Sequence, residues 1–148
     1  MHVVMTAGAT QFVTPLTLQT LSRHPVTTNI FDEKMSWHPG HIELADNADL
    51  VLIAPATADI LAKLAHGFAD DALTSIVLAT EAPLLLAPAM NGKMRNAPRD
   101  GCKRRNPQTT RRQFHRPEKG MLACGYEGIG RLWPVDAIVA KALEYKKR

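Results

Sequence analysis

Nowhere in this sequence do the ~20 consecutive apolar residues of a membrane span occur. The first residues carry neither a basic patch nor the short hydrophobic core of a secretory leader, so a soluble, cytoplasmic protein is expected. Cysteine is nearly absent. Cys102 and Cys124 have no metal-type spacing and no framework of partners, so each is expected to be a free thiol in a reducing compartment. Aromatic residues make up 5% of the chain, and only Phe114 falls within its densest run of positive charge. The interleaved stacking platform of single-strand nucleic-acid binders is therefore missing.

What is present is enough apolar material for a core. With 45% apolar residues in 148 positions, one domain of ordinary size over 1–148 is expected and a second does not fit. The net charge of +4 is local. Arg95, Arg99, Lys103, Arg104, Arg105, Arg111, Arg112 and Arg116 supply eight of the 18 basic residues against one acid, Asp100, and the rest of the chain has 10 basic and 13 acidic residues. One segment makes the protein basic, and no nucleic acid or membrane is expected as a partner.

"HVVMT" at 2–6 reads as a short strand. Thr14 followed by Pro15 predicts a helix start, since threonine can cap the first free N–H groups and proline needs none. "DLVLIAPAT" from Asp49 to Thr57 and "LLLAPAM" from Leu84 to Met90 are unbroken apolar strands of the kind buried on both faces. Between them Ile60, Leu61, Leu64, Ala65 and Phe68 recur at helical spacing before Gly67 and two aspartates, which predicts a helical crossover between parallel strands. A last helix is expected over "PVDAIVAKALEYKKR", with Ile138, Val139, Leu143 and Tyr145 in its apolar stripe and three basic residues at its end. The alternation implies an α/β fold with a mainly parallel sheet.

Ligands of such sheets bind beyond the carboxyl ends of the strands. Both long strands end there in Ala-Pro-Ala. A proline is expected to stop the ladder at each, and the small alanines let a flat ligand approach the backbone. His41 opens the helix-like "HIELADNADL" just before Asp49, where an imidazole can move protons near neutral pH. His38 stands close enough to His41 to raise a metal pair, but no third ligand follows at usable spacing, and no metal is expected. Asn91 can donate or accept at a substrate carboxylate or amide, or can simply hold a turn. Cys124 lies in "ACGYEGIGR", where Gly125, Gly128 and Gly130 suggest a mobile or tightly turned flap and Arg131 could meet an anion. That spacing is not a nucleotide-binding fingerprint.

Taken together, "VVMTAGATQFVTPLTLQTLS", "HIELADNADLVLIAPATADILAKLAHGFADDALT", "PLLLAPAMNGKM" and "EKGMLACGYEGIGR" resemble the flavin-dependent cysteine decarboxylases. The likeness is greatest to the branch that acts on phosphopantothenoylcysteine in coenzyme A biosynthesis, which bacteria usually fuse to a ligase domain. It implies a three-layer flavodoxin-like, Rossmann-like sandwich that assembles as trimers with FMN near subunit contacts. It also implies a carboxy-lyase in which flavin oxidises the substrate cysteine to a thioaldehyde, carbon dioxide leaves and an enethiol is then reduced. By motif, His41 resembles the proton-transfer histidine, Asn91 the carboxylate-positioning asparagine, and Met94 a further member of that motif. Cys124 resembles the flap cysteine that helps reduce the enethiol. Ala9, Phe12, Thr57, Ala58, Asp59, Ala89 and Met90 match positions that line the FMN site.

The sequence departs from the family in two places. The family begins with another strand and a glycine-rich phosphate turn, so the resemblance implies a chain whose first strand is missing. Where the family has an aromatic residue, a helix and a strand after the motif methionine, this chain has Arg95 and a basic, proline-interrupted passage over 95–116. Two readings of it stand: a passage translated out of frame, or a basic surface loop. Other readings of the whole chain are a non-catalytic binding subunit of this fold, or a relative acting on another peptidyl cysteine or in prenyl transfer.

Overall fold

Four helices in this chain begin where Thr14, Thr57, Asp71 or Asn91 offers a side-chain oxygen to otherwise unsatisfied N–H groups, and two strands fall where apolar residues run unbroken, at Val51–Ala56 and Leu84–Pro88. The computed structural model describes residues 1–31, 40–97, 112–114, 118–121 and 127–145. In chain order these form β1 (Val3–Val4), a 3-10 turn (Ala9–Gln11), α1 (Pro15–Ser22), β2 (Val26–Thr27), α2 (Gly40–Asp46), β3 (Val51–Ala56), α3 (Ala58–His66), α4 (Ala72–Ala79), β4 (Leu84–Pro88), α5 (Gly92–Asn96), β5 (Arg112–Phe114), β6 (Glu118–Met121), β7 (Glu127–Arg131) and α6 (Val135–Tyr145). The fold is mixed α/β with parallel strands, as the sequence predicts. The chain divides into two compact units.

One unit is Met1–Ala48 with Gly67–Glu81. The β1 strand pairs in parallel with β2, Val3 opposite Val26 and Val4 opposite Thr27, and α1 is the crossover between them. Its start follows the sequence expectation: Thr14 Oγ1 accepts from the Thr17 N–H at 3.3 Å and Pro15 takes the first turn. The expected strand over 2–6 shrinks to two residues, although Met5 N–H still donates to Thr27 O. In the same unit α2 packs on α4 through buried Ala45, Ala72, Ile76 and Val77, and Thr80 Oγ1 donates to Ala45 O at 2.8 Å. The α4 helix starts with a reciprocal cap. Asp71 Oδ1 accepts the Thr74 N–H at 2.8 Å, and Thr74 Oγ1 accepts the Asp71 N–H at 3.1 Å. Caps of this kind stabilise by about 0.5–2 kcal/mol.

The other unit is Asp49–His66 with Ala82–Arg148. Its sheet has the order β3-β4-β5, all parallel, and β4 in the middle is buried at every position, with Leu85 at 0% exposure. Each such leucine contributes about 1.5–3 kcal/mol by leaving water. The α3 helix buries Ala58, Ile60, Leu61 and Leu64, while β6 and β7 pair antiparallel.

Two apolar stripes differ from expectation. Phe68 is not on α3: the helix ends at His66, Gly67 takes φ +70°, and Phe68 is exposed. Only Gly67 is placed there without strain, because a side chain in that region collides with its own backbone. On α6, Ile138 is buried but Val139 and Leu143 are exposed, so the expected four-residue stripe is narrower. The three terminal basic residues lie outside the described residues.

Candidate active site

The two Ala-Pro-Ala corners are brought together by backbone pairing. Val51, Leu52 and Ile53 stand opposite Leu84, Leu85 and Leu86, the register then shifts, and Ala56 stands opposite Pro88. The shift spans Ala54 and Pro55. A proline has no N–H to give to a ladder and is tolerated at such an irregularity. Contrary to expectation, Pro55 therefore does not end its strand; β3 continues through it to Ala56. Beyond it, the Ala89 N–H donates to Ala56 O at 3.1 Å. At these adjoining ends Ala54, Pro55 and Thr57 are exposed, and Ala89 and Met90 are half-buried.

The loops leaving the strands are fixed by side-chain caps. Thr57 Oγ1 accepts from the Ile60 N–H at 3.3 Å and its carbonyl accepts from Leu61, which starts α3 with Ala58 buried and Asp59 turned outward toward Lys63 at 3.8 Å. After β4, Met90 N–H donates to Gly130 O at 2.9 Å. Asn91 then caps α5, its Oδ1 accepting from the Lys93 N–H at 2.8 Å, and Met94 is exposed. The structural and the chemical readings of Asn91 are compatible: a carboxamide whose oxygen is held by the cap has its NH₂ end oriented.

The other unit carries Ala9, Phe12 and His41. Ala9 is held in its turn by Thr6, whose carbonyl and Oγ1 both accept the Ala9 N–H, at 2.9 and 3.2 Å. Phe12 is 93% exposed. His41 lies in the first turn of α2. Its Nδ1 is buried and has no hydrogen-bond partner among the described residues, a costly arrangement unless something else supplies one. Cys124, Gly125 and His38 lie outside the described residues. Among the described residues no three His, Cys, Asp or Glu side chains gather as a metal site, and no helix is long and apolar enough to cross a membrane.

The sequence misassigned one feature here. Gly128 and Gly130 read as loop glycines, but both lie in β7, with Gly128 opposite Gly120. Gly130 is buried and backs directly onto Met90: a Cβ built on it overlaps the Met90 carbonyl oxygen. The available signal was the alternation Gly-Ile-Gly, which suits a strand whose one face meets another backbone.

A family model described as Flavoprotein matches residues 1–145. The coenzyme A biosynthesis bifunctional protein CoaBC of Bacillus subtilis is 47% identical over 143 residues, which is 95% of this chain and 34% of that protein. The chain thus spans about a third of the length of that relative. A probable phosphopantothenoylcysteine decarboxylase of Streptococcus mutans is 44% identical over 148 residues, covering 97% of this chain and 81% of that one. Among solved structures, the FMN-dependent cysteine decarboxylase SpaF superposes with a TM-score of 0.81 at 32% identity, over 98% of this chain and 78% of that chain.

Proposed function

This chain belongs to the flavoprotein family, and on that premise we propose that it is a phosphopantothenoylcysteine decarboxylase domain, an FMN-dependent carboxy-lyase of coenzyme A biosynthesis. The observation that carries the reading is the pairing of the two Ala-Pro-Ala strand ends, which presents a small-residue backbone surface and Asn91 at one rim. That surface fits a flavin, because exposed Ala54 and Pro55 project almost nothing that would hold a flat ring away. Ala9, Phe12, Thr57, Ala58, Asp59, Ala89 and Met90 are proposed to hold FMN. In the other unit, the buried His41 Nδ1, without a hydrogen-bond partner among the described residues, supports a binding role for that imidazole.

The overall change is redox-neutral: one carbon–carbon bond breaks, carbon dioxide leaves, and a proton takes its place on the carbon to give phosphopantetheine. FMN, when bound, supplies the transient oxidation that makes the carboxylate a leaving group and the matching reduction afterwards. The residues of the chain bind and move protons. Asn91 is assigned to the substrate carboxylate, which only accepts hydrogen bonds and so meets the carboxamide NH₂; Met94 lies on the same short helix. His41 is assigned to proton transfer at the substrate cysteine, an exchange suited to an imidazole. Cys124 is assigned the proton that the decarboxylated enethiol takes up as it is reduced to the thiol product.

The substrate is thus a small molecule, and a trimer-based homo-oligomer and a cytoplasmic location complete the proposal. The domain over 1–148 corresponds to the decarboxylase part alone. Residues 95–116 are proposed to be out of frame: the coding DNA, read in its other frames, should show an apolar helix-then-strand pattern, and its absence would sink that idea. Arg112–Phe114 within this passage pairs in parallel with β4.

The test of function is reconstitution. Purified protein incubated with FMN and then freed of unbound cofactor should stay yellow and release carbon dioxide from phosphopantothenoylcysteine faster than from a peptide ending in cysteine. Protein that stays colourless would exclude autonomous catalysis, and preference for the peptide would move it to the peptidyl-cysteine branch.

A further inference from the structure

We propose that Gly130 is a positioning residue for Asn91, acting through the backbone of Met90; the catalytic meaning of that position rests on the decarboxylase reading, the geometry does not. Two independent features of one residue carry the inference. The Gly130 carbonyl accepts the Met90 N–H at 2.9 Å. The Gly130 α-carbon then lies so close to the next peptide group that a Cβ would overlap the Met90 oxygen, with the Met90 carbonyl carbon at 3.3 Å and the Gly92 nitrogen at 3.5 Å.

The obstruction is backbone on both sides, so no rotamer change relieves it. The peptide unit joining Met90 to Asn91 is therefore held by β7 from one side, just after the ladder to β3 ends at Ala89. Asn91 itself follows in an extended conformation, φ −55° and ψ 140°, and its side chain is turned onto the Lys93 N–H. A displacement of Met90 passes directly into the direction of the carboxamide. Without β7 the cap would still orient Asn91 on its own helix, but α5 has only five residues and such a short helix does not fix its own position. Gly130 ties that helix to the hairpin strand.

The experiment compares Gly130→Ala with the wild-type full chain, both loaded with FMN, by amide hydrogen exchange and by carbon dioxide release. Protection of Met90 and Lys93 should fall by roughly tenfold or more while Leu85 and Leu86 stay protected, since the lost contact is local. With FMN at saturation, the turnover number should drop by about 100-fold, the scale of an ~1 Å misplacement. Unchanged protection at Met90, or a loss shared equally by Leu85 and Leu86, overturns the proposal. If the variant is insoluble, the wild type decides: a Met90 amide that exchanges as fast as a free peptide refutes the anchor, and a protected one supports it. Wild-type protein that shows the local protection but releases no carbon dioxide would refute the decarboxylase reading and leave the positioning of Asn91 standing.

Discussion

The end of β4 and the turn after β1 are both strand exits, yet they are built by opposite means. After β4 the chain is held on two sides by backbone, with Ala56 accepting from Ala89 and Gly130 accepting from Met90, and the strand behind it is wholly buried. After β1 the chain is held by its own side chains, Thr6 to Ala9 and Thr14 to Thr17, and the helix that follows buries no residue. Phe12 and Leu16 stand exposed there. The first exit is rigid because tertiary packing defines it. The second keeps its local shape but leaves apolar surface uncovered, which suits a ligand or partner that brings its own apolar face.

Three substitutions sharpen or break that contrast. His41→Ala has the largest expected effect, a fall in carbon dioxide release of about 10²–10⁴-fold, the usual contribution of a positioned acid or base. Thermal stability should barely change, since the Nδ1 has no partner to lose among the described residues. Retained turnover would remove His41 from the chemistry. Next comes Leu85→Ala, at the centre of the buried strand, which should lower unfolding free energy by about 2–5 kcal/mol in a denaturant titration. A loss below 1 kcal/mol would mean that β4 is not the rigid support described. The smallest effect on stability belongs to Phe12→Ser, within about 0.5 kcal/mol of wild type for an exposed side chain. Its FMN dissociation constant, measured by fluorescence quenching, should nevertheless rise roughly 10-fold or more if the ring is covered by cofactor. An unchanged constant would take Phe12 out of the site.

The parts of the fold that were legible in the sequence are those fixed by local chemistry. Thr14-Pro15 announced α1 because a hydroxyl cap and a missing N–H belong to one position only. The apolar runs announced β3 and β4, but only β4, the middle strand of the described sheet, is buried on both faces as expected; β3 leaves Leu52, Ala54 and Pro55 exposed. By contrast β2 is two residues, Val26 and Thr27, and is defined only by its partner β1. The paired aspartates after Gly67 read as helix breakers, and one of them is: Asp71 breaks the pattern because it starts the next helix. Phe68 misled because apolar spacing carries past a helix end that the backbone of Gly67 enforces. At the candidate site, Asn91 and the Ala-Pro-Ala corners were visible from residue type and position. The role of Gly130 was not, since the Gly-Ile-Gly alternation admits a close backbone approach without saying that Met90, 40 residues away in the chain, makes it.

Gly67 also sits where the chain leaves one compact unit for the other, between His66 and the segment beginning at Gly67. Apart from its own and its two neighbouring residues, no atom of the described residues lies within 4 Å of where its Cβ would be, while its φ is +70°. The position therefore demands handedness and not smallness. A mirror-image alanine introduced there by chemical synthesis should be accepted without loss, and the ordinary enantiomer of identical volume should cost about 1–2 kcal/mol.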